Sequence, residues 1–209
     1  MKIAIIGSGV LAQHISHYAE IDLSHNVVGY FNDFVEKNTF INNTPILGKV
    51  SDILAVYQKG EFEALVVGIG YKHFEFRESV FREFKGIIPF ANIIHPTCHL
   101  DSTVKLGEGV VLFPKSILDV HTVIGDNVLI NVGCVIAHDT HIGNHSFLSP
   151  GVTLAGFIKI GEKCNIGINT TVIDNITIGN EVQTGGGTVV IKNIEKKGLY
   201  VGNPQRFIK

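Results

Sequence analysis

Stepping by six from Leu106 meets an aliphatic side chain almost every time: Leu106, Leu112, Leu118, Ile124, Ile130, Ile136, Ile142, Leu148, Leu154, Ile160, Ile166, Val172, Ile178, Thr184 and Val190, with Thr184 the only exception. In a chain that is 45% hydrophobic, such a run arises by chance in about one stretch in a thousand, all six frames allowed for. A helical repeat needs roughly 20 residues or more, so a unit this short fits one strand and a corner. Gly107, Gly125, Gly143, Gly161 and Gly179 each follow one of these aliphatics at a spacing of 18. Three strands therefore complete a turn, and stacked turns bury a continuous ladder of Ile, Leu and Val. The residues two before each aliphatic (Val104, Val110, Ser116, Thr122, Val128, Cys134, Thr140, Ser146, Val152) are small or β-branched, as a crowded corner requires. Cys134 and Cys164 share that phase and read as packing residues rather than reactive thiols.

Upstream the rhythm changes. Ile3-Ala4-Ile5-Ile6 reads as a buried strand running into the turn Gly7-Ser8-Gly9, and Val10 to Ile21 continues as a helix. Val27 to Phe31 is a second strand, ending at Asn32-Asp33, and Leu65 to Gly70 is a third before a helical stretch from Tyr71 to Phe84. In this βαβ layout a helix start behind a glycine turn offers N–H groups to an anion such as a pyrophosphate, and an acid ending the second strand reaches a ribose or base. The third glycine of a dinucleotide turn is missing, and Ala12 stands in its place. A purely structural turn and a ligand turn both remain open. The change of rhythm divides the chain into domains at 1–90 and 91–209.

The charge balance narrows the partners. Lys and Arg number 17 against 19 Asp and Glu, a formal net charge of -2, so a broad electrostatic grip on nucleic acid has no basis. No apolar run approaches the roughly 20 residues of a membrane span. Three cysteines without a CxxC pair point to a reduced, cytoplasmic protein.

A short βαβ domain followed by hexapeptide coils resembles the hexapeptide-repeat acyltransferases, and among them the sugar O- and N-acetyltransferases of the sialic acid O-acetyltransferase and UDP-4-amino-sugar N-acetyltransferase type. The implied fold is an α/β N-terminal Rossmann-like βαβ domain followed by an all-β left-handed parallel β-helix, the handedness coming from the resemblance alone. Coils run from about Leu100 to Val190, and the tail from Gly198 to Pro204 is similar to the family's exit segment. The resemblance also implies a homotrimer with inter-subunit active sites, acetyl-CoA as acyl donor, a nucleotide sugar held by the N-terminal domain, and no metal. It assigns Ser8, Gly9, Val10, Asn32, Asp33, Gly70, Tyr71 and Asn131 to the sugar nucleotide, and His145, Phe147, Ile168 and Gly186 to acetyl-CoA. Two departures bear on the sugar. The family's Gly-x-Gly-Gly-His-Gly turn is here Gly7-Ser8-Gly9-Val10-Leu11-Ala12, and Asn32 stands where an acid is common.

His138, His141 and His145 crowd into one coil. The family's His-Asp/Glu-x-x-Ile-Gly run falls on His138 and Asp139, which the resemblance makes the catalytic base and its neighbouring acid. Acyl transfer from a thioester needs the attacking amine or hydroxyl deprotonated, and a neutral imidazole suits that work near neutral pH. A metal site built from these residues converges poorly, because successive strand side chains point to opposite faces. Relatives often place a second His at the position of Phe147; His145 either replaces it or faces solvent. Residues 18 apart stack, so Ile168 and Gly186 form one track at a different corner from His138, and Asp139 lies over His121. The expected function is acetyl-CoA-dependent acetylation of the amino group of a nucleotide-linked amino sugar. The alternatives are O-acetylation of a sialic acid or other glycan sugar, and a non-catalytic ligand-binding scaffold.

Overall fold

The computed structural model describes residues 1–209, which form two compact units, Met1–Ile93 and Ile94–Lys209. In the first unit β1 (Lys2–Ile6) leads into α1 (Val10–Ile21), β2 (Asn26–Phe31), the hairpin β3 (Phe40–Ile41) and β4 (Thr44–Gly48), α2 (Ile53–Gln58), β5 (Ala64–Val67) and α3 (Phe74–Phe84). The sheet order is β3-β4-β2-β1-β5, parallel except for the β3–β4 hairpin. Ile3, Ala4, Ile5 and Ile6 are all buried, which is why β1 reads as an unbroken apolar run and not an alternating one. The third strand ends at Val67, short of Gly70, and Tyr71–His73 is a tight turn ahead of α3. The β3–β4 hairpin and α2, both unmarked in the sequence reading, occupy the stretch between.

The second unit is the left-handed β-helix. Strands such as Ile117–Leu118, Val123–Ile124 and Leu129–Ile130 follow one another around three faces, and each pairs in parallel with the strand 18 residues on. We call these the first, second and third faces. The aliphatic ladder is the core: Leu112, Leu118, Ile130, Ile136, Leu148 and Ile166 have no exposure, and Ile94, Leu100 and Leu106 extend it toward the first coil. Coiling thus begins one strand earlier than Leu100. Beyond Val190 the tail adds Gly198–Val201 in parallel beside Val182–Thr184, followed by the antiparallel Arg206–Phe207.

The corner residues explain themselves chemically. Ser116 Oγ donates to the Asn131 carbonyl at 2.8 Å, Thr140 Oγ1 to Ala155 at 3.2 Å and Ser146 Oγ to Gly161 at 2.8 Å. Cys134 Sγ and Cys164 Sγ make the same 15-residue reach, to Ser149 and Gly179. Each small hydroxyl or thiol satisfies a carbonyl that the tight corner turns inward, where an unpaired acceptor is costly. Burial pushes both thiols up to about 11, so neither is a nucleophile at neutral pH. The glycines at 18-residue spacing meet a different need: a Cβ on Gly143 would lie 2.6 Å from the carbonyl carbon of Gly161, so only glycine lets successive coils approach. No helix is long and apolar enough to cross a membrane.

Candidate active site

His138 and Asp139 form the corner between the first and second faces, after the strand Val135–Ile136 and before His141–Ile142. Asp139 has φ 53, in the left-handed region, and His121 and Phe157 take the same conformation one turn below and above, with φ 58 and 60. A left-handed residue turns the chain sharply, so adjacent side chains leave the prism rather than entering its core. Accordingly the His138 and Asp139 side chains are 43% and 36% exposed.

His138 Nδ1 lies 3.0 Å from Asp139 Oδ2, and His121 Nδ1 lies 3.3 Å from Asp139 Oδ1. The hydrogen bond from His138, reinforced by the charge and contact of His121, holds the Asp139 carboxyl below the usual carboxylate range. It is therefore ionised at neutral pH and only accepts hydrogen bonds. Nδ1 of His138 must carry the proton, which leaves Nε2 with a lone pair: the tautomer a general base requires. The ring is held on two further sides. Phe157 meets it edge-on, centroids 5.1 Å apart and planes at 88°. Gly156, one turn above His138, lies against the imidazole, and a Cβ there would come within 2.5 Å of Cε1 and 2.7 Å of Nε2. The sequence reading missed Gly156, although the 18-residue offset from His138 marks it.

Other expected residues fall elsewhere. His145 is 6% exposed at the corner between the second and third faces, with Nδ1 3.1 Å from Nδ2 of buried Asn127 one turn below. Phe147 is 5% exposed on the third face. His141 is exposed on a second-face strand, so the three histidines of this coil do not converge. Ile168 is 54% exposed and Gly186 exposed, stacked at the corner between the third and first faces, where Gly187 N donates to the Ile168 carbonyl. Asn131 shares that corner, its Oδ1 accepting from Val132 N. Within one chain these residues and His138 therefore occupy different edges of the prism.

In the first unit the carboxyl ends of β1, β2 and β5 open into a cleft of about 460 Å³. It lies where the sheet order reverses at β1, the usual ligand crevice of an open α/β sheet. Gly7, Ser8, Gly9, Asn32, Asp33 and Gly70 line it, whereas Val10 and Tyr71 lie outside that lining. Gly7 has φ 96, which makes the tight turn, and a Cβ on Gly68 would meet Ala12 Cβ at 2.6 Å. Ala12 and Gly68 together thus do the close helix–strand packing for which a dinucleotide turn uses its third glycine. No side chain caps α1 and its first turn holds no acid, leaving a positive helix end at the cleft. Asn32 Nδ2 donates to Ser8 Oγ at 2.6 Å, and Asp33 Oδ1 accepts from Val50 N at 2.9 Å. Unforeseen from the sequence are Phe34 and Phe76, which line the cleft while 94% and 42% exposed. Also unforeseen is Arg77, fully buried on α3, whose Nη1 donates to the Val67 and Ile69 carbonyls at 3.2 and 2.8 Å and so braces the Gly68–Gly70 turn. Burial pushes its guanidinium down to about 9.

Residues 121–156 match the family described as bacterial transferase hexapeptide (six repeats). No curated protein sequence matches the chain. Among solved structures, PerB of Caulobacter crescentus, crystallised with CoA and GDP-perosamine, is 26% identical, with a TM-score of 0.92 over 100% of this chain and 98% of that one. The same protein is described as a perosamine N-acetyltransferase. The acetyltransferase domain of PglB from Neisseria gonorrhoeae (22% identity, TM-score 0.91, 99% of each chain) and WeeI of Acinetobacter baumannii (21%, 0.87, 100% of each) share the fold. The chain thus carries a stretch matching the hexapeptide transferase family over residues 121–156 and is similar in fold, end to end, to PerB.

Proposed function

We propose that the protein is an acetyl-CoA-dependent N-acetyltransferase acting on the amino group of a nucleotide-linked amino sugar. The observation that carries this reading is the exposed His138–Asp139 pair, with Nε2 open, in a chain that aligns over its whole length with an enzyme crystallised with CoA and GDP-perosamine. As the sugar amine attacks the thioester carbonyl carbon, its proton passes to His138 Nε2, and Asp139 stabilises the imidazolium so formed. The C–S bond then breaks, and the same proton goes to the departing CoA sulfur. Amine and acetyl-CoA become amide and free CoA, with His138 restored.

The remaining residues divide between the two substrates. At the cleft, Ser8 and Gly9 with the uncapped start of α1 behind them take the diphosphate. Phe34 and Phe76 offer exposed rings to the base, while Asn32, Asp33 and Gly70 frame the nucleoside. The Ile168/Gly186 track takes acetyl-CoA, since an exposed glycine lets a pantetheine chain lie against the backbone, and Asn131 at the same corner serves the sugar nucleotide. Because that track and His138 occupy different prism edges, a homotrimer supplies the complete site, the base from one chain and the CoA track from the next.

Two experiments test this reading. Purified protein is incubated with acetyl-CoA and UDP-, GDP- and dTDP-linked 4-amino sugars or CMP-sialic acid, with CoA release and product mass followed. One 4-amino sugar is expected to give an acetyl adduct stable to mild alkali. An alkali-labile adduct would establish a hydroxyl acceptor instead, and no release with any acceptor would sink the proposal. The second is Gly9→Asp. No atom lies within 4 Å of a Cβ at Gly9, and Asp in place of Gly at a helix N-cap gains a few tenths of a kcal/mol. The variant is expected to hold or raise its Tm while its KM for the nucleotide sugar rises by about tenfold or more, because a fixed carboxylate occupies the place of the diphosphate. An unchanged KM would remove the helix start from the binding site.

A further inference from the structure

Asp139 has two carboxylate oxygens, and the base uses one of them. The other lies 3.3 Å from Nδ1 of His121, one turn below. His121 is itself anchored: its backbone N donates to Thr103 Oγ1 at 2.7 Å, and that hydroxyl donates to Asp101 Oδ1 at 2.6 Å. Thr103 N also donates to Asp101 Oδ1, at 2.8 Å. Thr103, His121 and Asp139 follow one another at the 18-residue spacing of the turn, so the arrangement is a polar column running up one edge of the prism to His138. A corner carboxylate 36% exposed with a single partner keeps most of its rotational freedom, and a second partner on its other oxygen removes it.

We propose that His121 is a positioning residue for the base: by holding Oδ1 of Asp139, it keeps Oδ2 on Nδ1 of His138 and so leaves His138 Nε2 bare. This rests on the reading of His138 as the base, but its first consequence is a tautomer, which exists whether or not any sugar is acetylated. The unconstrained histidine side chain favours the Nε2–H tautomer in water. Nδ1–H at His138 therefore has to be enforced, and an Asp139 that rotates away stops enforcing it.

The test compares the full-length protein with His121→Gly and His121→Asn. Glycine takes the left-handed corner at Gly133 and Gly151 (φ 67 and 70), and asparagine does so at Asn169 and Asn175 (φ 52 and 60), so both variants suit the backbone. The Asn amide nitrogen also sits where imidazole Nδ1 sits and restores the donor. Nitrogen-15 NMR of the imidazoles, with His138 assigned from its Ala variant, is expected to find Nδ1–H in the natural protein, Nε2–H gaining in His121→Gly, and Nδ1–H recovered in His121→Asn. With the acceptor found by the CoA-release screen, kcat is expected to fall about tenfold in the Gly variant, recover in the Asn variant, and leave both KM values unchanged. A tautomer and kcat that ignore His121→Gly overturn the proposal while leaving the acetyltransferase reading intact. A tautomer that shifts in a protein acetylating no amino sugar supports the positioning role and defeats that reading.

Discussion

His138→Ala is expected to lower kcat by about 10²–10⁴-fold, the range over which a positioned general base contributes, while the protein folds as before. The expectation of an intact fold follows from where the side chain sits. His138 stands outside the aliphatic ladder, and the backbone bond at this corner, Phe157 N to the His138 carbonyl at 3.1 Å, does not involve the imidazole. Alanine therefore removes the lone pair at Nε2 and the Asp139 contact without touching the coil. The measurement is steady-state CoA release, with circular dichroism and sedimentation as controls. The KM values should change little, since the base acts on the amine as the bond forms rather than holding either substrate. A variant that turned over near the natural rate would assign the proton to another group.

Gly156→Val should produce a loss of similar kind without removing any chemical group. A Cβ at this position comes within 2.5 Å of His138 Cε1 and 2.7 Å of Nε2. The obstructing atoms are the far end of a side chain, so the strain is relieved by swinging the imidazole and the backbone stays in place. Swinging it breaks the 3.0 Å contact with Asp139 and moves Nε2 by an ångström or more, a displacement that costs about 10²-fold in rate. The expected result is a kcat about 100-fold lower with an unchanged thermal midpoint and an unchanged KM for the nucleotide sugar. Valine at Gly143 would act differently, since its obstruction is the Gly161 backbone, which has no freedom to swing aside. Should Gly156→Val retain full activity, the imidazole would have to work from a different rotamer.

Both predictions turn on an offset of 18 residues, and this is where the sequence was most informative. In a stacked coil the neighbour of residue i is i + 18, so the partners of His138 and Asp139 were legible as Gly156 and His121 before any coordinates. The pairing of Asp139 with His121 was read in this way; Gly156 was overlooked because a single glycine among 23 carries no mark of what it lies against. His145 shows where offsets stop helping. Its place in the coil follows from spacing, but which way its ring turns depends on a left-handed φ of 63 and on the Asn127 that receives it.

The first unit has no such regularity, and more of its cleft stayed hidden. The glycine turn, α1 and the end of β2 could be read because strand and helix patterns are local. Phe34, Phe76 and the buried Arg77 could not, because what places them is packing around the Gly68–Gly70 turn, about 60 residues from the first glycine loop.

By itself, then, the sequence determined the coil, its three-strand turn, the corner that carries His138 and Asp139, and the glycine loop that opens the first unit. All of these are consequences of short-range periodicity, in which each residue's environment repeats at a known interval. Only the tertiary structure decided that His145 and Phe147 are enclosed, that Gly156 makes room for the imidazole, that Asp139 divides its oxygens between two histidines, and that aromatic rings edge the cleft. Those outcomes depend on side-chain direction and on contacts between distant segments, which periodicity does not encode.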